Sequence, residues 1–262
     1  MRIPVVILVV IASLGVFLAW GRADDERAPA GLFDTHETCA RCHDETTRGT
    51  AMRDGADRNV APVDLWRSSA MANASRDPVW RAVVAVEIAA TPSRAAEIEA
   101  LCLRCHAPMA PRPARLADLD GDGPIARLAQ DGASCSVCHG IRAEGLGTAA
   151  SFSGGWTVGD HGRLFGPHAD PFDRPMRHHT DFVPEASDHV LEPALCGTCH
   201  TLFTGTLPEQ TPYLEWRNSV YSTEVESPRA EAATCRDCHM PVTDLDGDAI
   251  RTRIAHNPGG RD

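Results

Sequence analysis

Every cysteine of the chain falls in one repeated pattern, Cys-x-x-Cys-His. It stands at Cys39-Cys42-His43, Cys102-Cys105-His106, Cys135-Cys138-His139, Cys196-Cys199-His200 and Cys235-Cys238-His239, which uses all 10 cysteines. At this spacing two thiols add across the vinyl groups of c-type haem, and the adjacent histidine is carried beneath the iron as its proximal ligand. A disulfide framework has no use for a histidine directly after each pair. Zinc ribbons join Cys-x-x-Cys knuckles two at a time, and five knuckles leave one unpartnered. The motifs therefore predict five c-type haems, each iron held by one of His43, His106, His139, His200 and His239.

That cofactor load limits the fold. The chain has 262 residues, and once the leader is set aside each haem has about 46 residues of protein. Five separate hydrophobic cores cannot be built from so little, so the porphyrins must supply much of the core. An aromatic content of 5%, with two tyrosines, agrees with large flat apolar groups that are cofactors. The expected class is mainly α with much coil, organised around five covalently bound haems. One body over residues 33–262 is expected, divisible into lobes near 33–145 and 176–262.

Residues Ile3 to Trp20 form an apolar run behind a single positive charge, Arg2. Gly21-Arg-Ala23 offers small residues for cleavage, and Asp24-Asp-Glu26 follows. This reads as an export signal over residues 1–23. The run is also long enough to cross a bilayer, so a cleaved signal and a retained membrane anchor both stand. Either way the motifs are expected outside the inner membrane, in the periplasm or on its outer face, because c-type haem is attached after export. Residues 24–32 read as a polar tether. A net charge of -11 argues against nucleic acid as a partner. Acidic carriers suit basic faces on redox proteins, among them a membrane quinol-oxidising or reductase complex, although the same charge also serves solubility.

Pro62 opens a helical stretch through Val63 to Ala74, and a second helix is expected from Val79 to Ala90. Thr91-Pro92 reads as a cap with proline at the first helical position, starting the helix that carries Cys102 to His106. A short helix over Ile125 to Gln130 stops at Asp131-Gly132. Residues Gly145 to Pro175 read as a long loop over the haems. Ser187 caps a short helix through Val190, Pro193 opens the one bearing Cys196 to His200, and Thr211-Pro212 starts another through Tyr221. No strand pattern persists. The shortest separations join the second motif to the third and the fourth to the fifth, so those pairs are expected to be the tightest. Trp66-x-x-Ser69-x-Met71 and Trp216-x-x-Ser219-x-Tyr221 share one spacing, a hint of duplication.

Leu65-Trp-Arg-Ser-Ser-Ala-Met-Ala-Asn-Ala, Cys196-Gly-Thr-Cys-His-Thr-Leu, Tyr213-Leu-Glu-Trp-Arg-Asn-Ser and Cys235-Arg-Asp-Cys-His-Met-Pro resemble the multihaem cytochromes of the cytochrome c-552/c-554 type, related to hydroxylamine oxidoreductase. The resemblance covers most of the chain after Leu32 and implies a multihaem cytochrome c fold. It implies that Met71, at the end of the tryptophan helix, ligates a haem from the far side. Tyr221 departs from the pattern at the equivalent place. Relatives with a segment like Arg253 to Asp262 tend to continue beyond it.

The sixth iron positions call on the histidines outside the motifs: His36, His161, His168, His178, His179, His189 and His256. His189, on a short capped helix before the fourth motif, is placed to ligate a neighbouring haem. Of the adjacent His178 and His179 at most one is expected to serve, and His36 and His256 can clip the two ends of the chain to haems. The candidate distal ligands are thus Met71, His36, His179, His189 and His256, each weighed against a packed methionine or an ordinary surface histidine. Asp118-x-Asp-x-Asp122-Gly matches the first half of a calcium loop but has Ala129 at the twelfth position, and Asp244-x-Asp-x-Asp248 lacks the glycine, so solvated turns are favoured over calcium.

The expected activity is electron transfer between redox partners through closely packed haems. The alternative is an oxidoreductase acting on a small nitrogen or sulfur compound at one haem with an open distal face, served by Tyr221 with Arg217 or His178 with Arg177. The chain has no Cys-x-x-Cys-Lys motif, and indeed no lysine.

Overall fold

The computed structural model describes residues 31–45, 51–159 and 162–240, with Thr243 and Ile250. The leader, most of the tether, His161, the acidic run from Asp244 and the C-terminal segment with His256 lie outside the described residues.

The elements run α1 (His36–His43), α2 (Pro62–Arg67), α3 (Ala70–Asn73), α4 (Pro78–Ala90), α5 (Ala95–His106), α6 (Pro124–Gln130) and α7 (Cys135–Gly140). There follow β1 (Arg163–Gly166), α8 (Asp173–Thr180), β2 (Val183–Ala186), α9 (Pro193–Gly197), β3 (Leu202–Thr204), β4 (Leu207–Gln210), α10 (Pro212–Arg217) and α11 (Cys235–His239). The class is mainly helical with much coil, as the sequence implies. Proline starts α2, α4, α6, α9 and α10, where its missing N–H costs nothing.

Several helices are shorter than their sequence pattern, and serine is the cause. The stretch from Val63 to Ala74 breaks at Ser68-Ser69. Ser68 Oγ donates to the Leu65 carbonyl at 3.0 Å, and Ser69 turns extended and caps α3 by accepting from Ala72 N–H at 3.2 Å. The Tyr213 helix ends at Arg217, where Ser219 Oγ donates to the Trp216 carbonyl at 2.7 Å and accepts from Tyr221 N–H at 3.1 Å. A serine that bonds nearby backbone offers the chain an alternative to the helix. Thr91 makes no side-chain cap, and a 3₁₀ turn over Pro92–Arg94 precedes α5.

The expectation of no strand is corrected by two small sheets. β1 and β2 pair in parallel, Arg163 opposite Val183, with α8 in the crossover. Both lie in or beside the segment read as loop. β3 and β4 form an antiparallel hairpin whose turn holds Gly205 at φ +65°. Strands of three or four residues are too short to show alternation.

The apolar core is small and rich in alanine. One cluster joins Trp80 and Val84 of α4 to Leu103 and Ala107 around α5, with Leu119 and Ala129. A second gathers Met109, Val137, Ile141 and Trp156. Both clusters lie against attachment motifs, the first against the second motif and the next against the third.

Candidate functional site: the haem attachment motifs

Each motif folds as a helical turn. Cys39 to His43 close α1, Cys102 to His106 close α5, Cys135 to His139 lie in α7, and Cys235 to His239 form α11. Cys196 lies in α9, and backbone bonds from Cys199 and His200 to the Cys196 carbonyl extend the turn. Residues three and four apart share a face of such a turn, so both thiols and the imidazole would be able to meet one macrocycle. No two of the described cysteines are joined in a disulfide, and all but Cys238 are half-buried.

Two of the motif histidines are oriented as an iron ligand would need to be. His106 Nδ1 bonds the Ala74 carbonyl at 3.1 Å and His139 Nδ1 bonds the Phe165 carbonyl at 2.6 Å. A ring N–H donated to a carbonyl fixes the tautomer and leaves Nε2 free for metal. Burial, with a smaller push from His139, holds His43 below the ordinary histidine value, and burial also lowers His106 and His200. Neutral imidazole is the form that binds iron. Trp80 stacks on the His106 ring at 4.4 Å between centroids, nearly parallel. These features fit covalent haem.

The motifs pair in space differently from their order in sequence. The Cys39 and Cys135 thiols stand beside each other, and their interaction raises the first and lowers the second. Cys105 and Cys199 are neighbours in the same way, the first raised and the second lowered. Cys138 is pushed up to about 12 by burial and then by Cys199 and Cys196, and Cys196 to about 11 by burial and then by Cys235. The first motif therefore lies against the third, the third and the second against the fourth, and the fourth against the fifth. The expected four–five pair is found. Two further pairs, one–three and two–four, are not those that linker length suggests.

The fourth motif is built on a tyrosine. Tyr213 is 2% exposed, its N–H bonds the His200 carbonyl at 3.1 Å, and its hydroxyl donates to Glu224 at 2.8 Å. Burial and then Glu224 raise its pKa above the ordinary 10.0. Its ring lies on Gly197, where a Cβ would stand 2.8 Å from two ring carbons. The glycine of Cys196-Gly-Thr-Cys-His is the signal for this packing.

The candidate distal ligands are scattered. Met71 is half-buried on α3, and its carbonyl accepts from Ala133 N–H at 3.0 Å. Gly132, at φ +62°, allows that approach, since a Cβ there would lie 2.4 Å from the Met71 oxygen. His189 packs on Phe165 at 5.0 Å, with Nδ1 bonded to Ser187 Oγ at 2.7 Å and Nε2 to the Ile141 carbonyl at 2.8 Å. An iron bond from Nε2 would replace the latter. His178 and His179 are exposed on α8, with Arg41 of α1 donating to the His179 carbonyl at 2.9 Å. His168 is exposed in the loop. His36 is held by Asp131 through both its backbone N–H, at 2.8 Å, and its ring Nδ1. Arg217 is tied to the Gly147 carbonyl and to Glu224, while Tyr221 is exposed. In the first acidic run Asp118 accepts from Arg115 N–H and Asp120 pairs with Arg81.

Residues 38–140 match the family described as cytochrome c554 and c-prime. The fold is similar to the crystal structure of a penta-heme cytochrome c552 from Thermochromatium tepidum, with a TM-score of 0.55 and 19% identity. The match covers 85% of this chain and 57% of that one, so this chain spans little more than half that length. No protein of curated function matches. The fold is thus similar to that of a penta-heme cytochrome, residues 38–140 resemble the cytochrome c554 family, and the five Cys-x-x-Cys-His turns are of the kind that attach c-type haem.

Proposed function

We propose that the chain is an exported pentahaem electron carrier, working in the periplasm or on the outer face of the inner membrane. One adjacency carries this reading: each of the five motifs has a cysteine of another motif beside it. Attachment points so close bring their cofactors close as well. The order runs from the first motif to the third and the fourth, with the second and the fifth both against the fourth.

Bound haem supplies a one-electron ferric/ferrous couple at each motif. The chain's own residues fix the rest. Carbonyls of Ala74 and Phe165 orient proximal rings, and burial keeps three of the imidazoles neutral. Met71, His36, His179, His189 and His256 are the candidates for the far-side positions. A thioether there favours ferrous iron over a second imidazole, which would give the relay a direction. The acidic surface suits docking on basic faces of redox proteins, including a membrane quinol-oxidising or reductase complex.

The test is transfer itself. Reduced holoprotein should pass its electrons to an oxidised partner cytochrome, at a rate that falls with salt, and should leave hydroxylamine, nitrite and sulfite unchanged. Sustained consumption of one of these compounds would overturn the carrier reading.

A further inference from the structure

We infer that Asp131 is a positioning residue for an axial ligand: it holds His36 with Nε2 turned to a haem iron and makes that haem the harder one to reduce. The inference rests on the pentahaem reading above.

The geometry is a two-point clamp across 95 positions of sequence. One Asp131 oxygen accepts the backbone N–H of His36 at 2.8 Å, and the other bonds the ring Nδ1. Asp131 is itself fixed. It is 7% exposed, and its N–H closes α6 on the carbonyls of Arg127 and Leu128. Trp66 lies against the His36 ring at 5.0 Å, and its indole N–H is anchored to Ala133, two residues from Asp131. The ring therefore cannot turn freely, and among the described residues no hydrogen bond engages Nε2.

A surface histidine needs no such support, whereas a metal-bound imidazole commonly gives its second nitrogen to a carboxylate. The partner matters chemically. His106 and His139 donate to neutral carbonyls. A carboxylate acceptor draws the Nδ1 proton, makes Nε2 a stronger donor and favours ferric iron. The Asp131 charge is also felt at Cys39 and Cys135, so it lies near two attachment points and opposes reduction there through space as well.

The experiment compares holoprotein with Asp131→Asn, Asp131→Glu and His36→Gln by potentiometric titration and low-temperature EPR. Asp131→Asn keeps the shape and loses the charge. It should move one reduction wave to higher potential well beyond any other and shift the g-values of one low-spin haem, with Asp131→Glu falling nearer to the unaltered protein. His36→Gln should turn one low-spin haem high-spin and open it to carbon monoxide. Asp131→Asn waves that coincide with the unaltered ones, or a His36→Gln protein with every haem still low-spin, would overturn the role and leave Asp131 as a cap on α1. Failure of the pentahaem reading shows separately, as a mass increment short of five haems in unaltered protein, and would remove this inference with it.

Discussion

Trp66 donates its indole N–H to the carbonyl of Ala133 at 2.9 Å, two residues ahead of Cys135. Trp216 makes the same bond to Ala233 at 2.8 Å, two residues ahead of Cys235. The N–H of Ala133 returns to Met71, and that of Ala233 to Tyr221, both at 3.0 Å. The spacing shared by Trp66-x-x-Ser69-x-Met71 and Trp216-x-x-Ser219-x-Tyr221 is thus a repeated clamp. One copy holds the third motif, beside the first, and the other holds the fifth, beside the fourth.

Replacing either tryptophan with phenylalanine should loosen the motif that it holds. The carbonyl loses its partner in a half-buried place, a cost of about 1–3 kcal/mol. Denaturant titration of each holoprotein should show a lower midpoint for Trp66→Phe and Trp216→Phe alike. Unchanged midpoints would mean that the indole bonds are incidental.

Gly197→Ala should damage the fourth motif. The added methyl would meet the ring of Tyr213, which bonds to His200 and Glu224 prevent from swinging away. Overpacking of this kind costs about 1–3 kcal/mol. Gly55→Ala, where a Cβ meets nothing within 4 Å, should stay within about 0.5 kcal/mol of the unaltered protein. Thermal melts of the two variants make the comparison.

The helix of the fifth motif should weaken in acid. Hydrogen bonds from the Thr234 N–H and hydroxyl hold the Asp237 carboxyl below the ordinary 3.8. Its folded value lies under its unfolded one, so the contribution is full above about pH 4 and fades as the pH falls through the lowered value. Hydrogen exchange over residues 235–239 should accelerate in that window, and Asp237→Ala should show the faster exchange already at neutral pH. Losing the cap costs about 0.5–2 kcal/mol.

Met71→Ala tests the far-side thioether. Methionine on ferric haem gives a weak charge-transfer band in the far red, which bis-histidine haem lacks. The substitution should abolish the band and lower the potential of one haem only. A native spectrum without the band would make Met71 a packing residue.

The helical turn of each motif was legible in the sequence, because Cys-x-x-Cys-His is a pattern complete within a single turn of chain. Proline marked the helix starts at Pro62, Pro193 and Pro212 for the same local reason. What escaped was everything set by distance along the chain. Asp131-Gly132 read as a helix stop, yet Asp131 reaches His36 and Gly132 admits the Met71 carbonyl. Linker length suggested that the second and third motifs pair, yet the first motif meets the third and the second meets the fourth. The strands were too short to leave a period. Serines 68 and 219 ended helices by bonds to backbone that hydrophobic pattern does not register.

The most direct measurement is a coulometric reduction of mature protein whose polypeptide mass is known. The account predicts five electrons per chain and a mass increment of five haems, one for each motif from Cys39 to His239. Four or fewer of either, in fully matured protein, would contradict it.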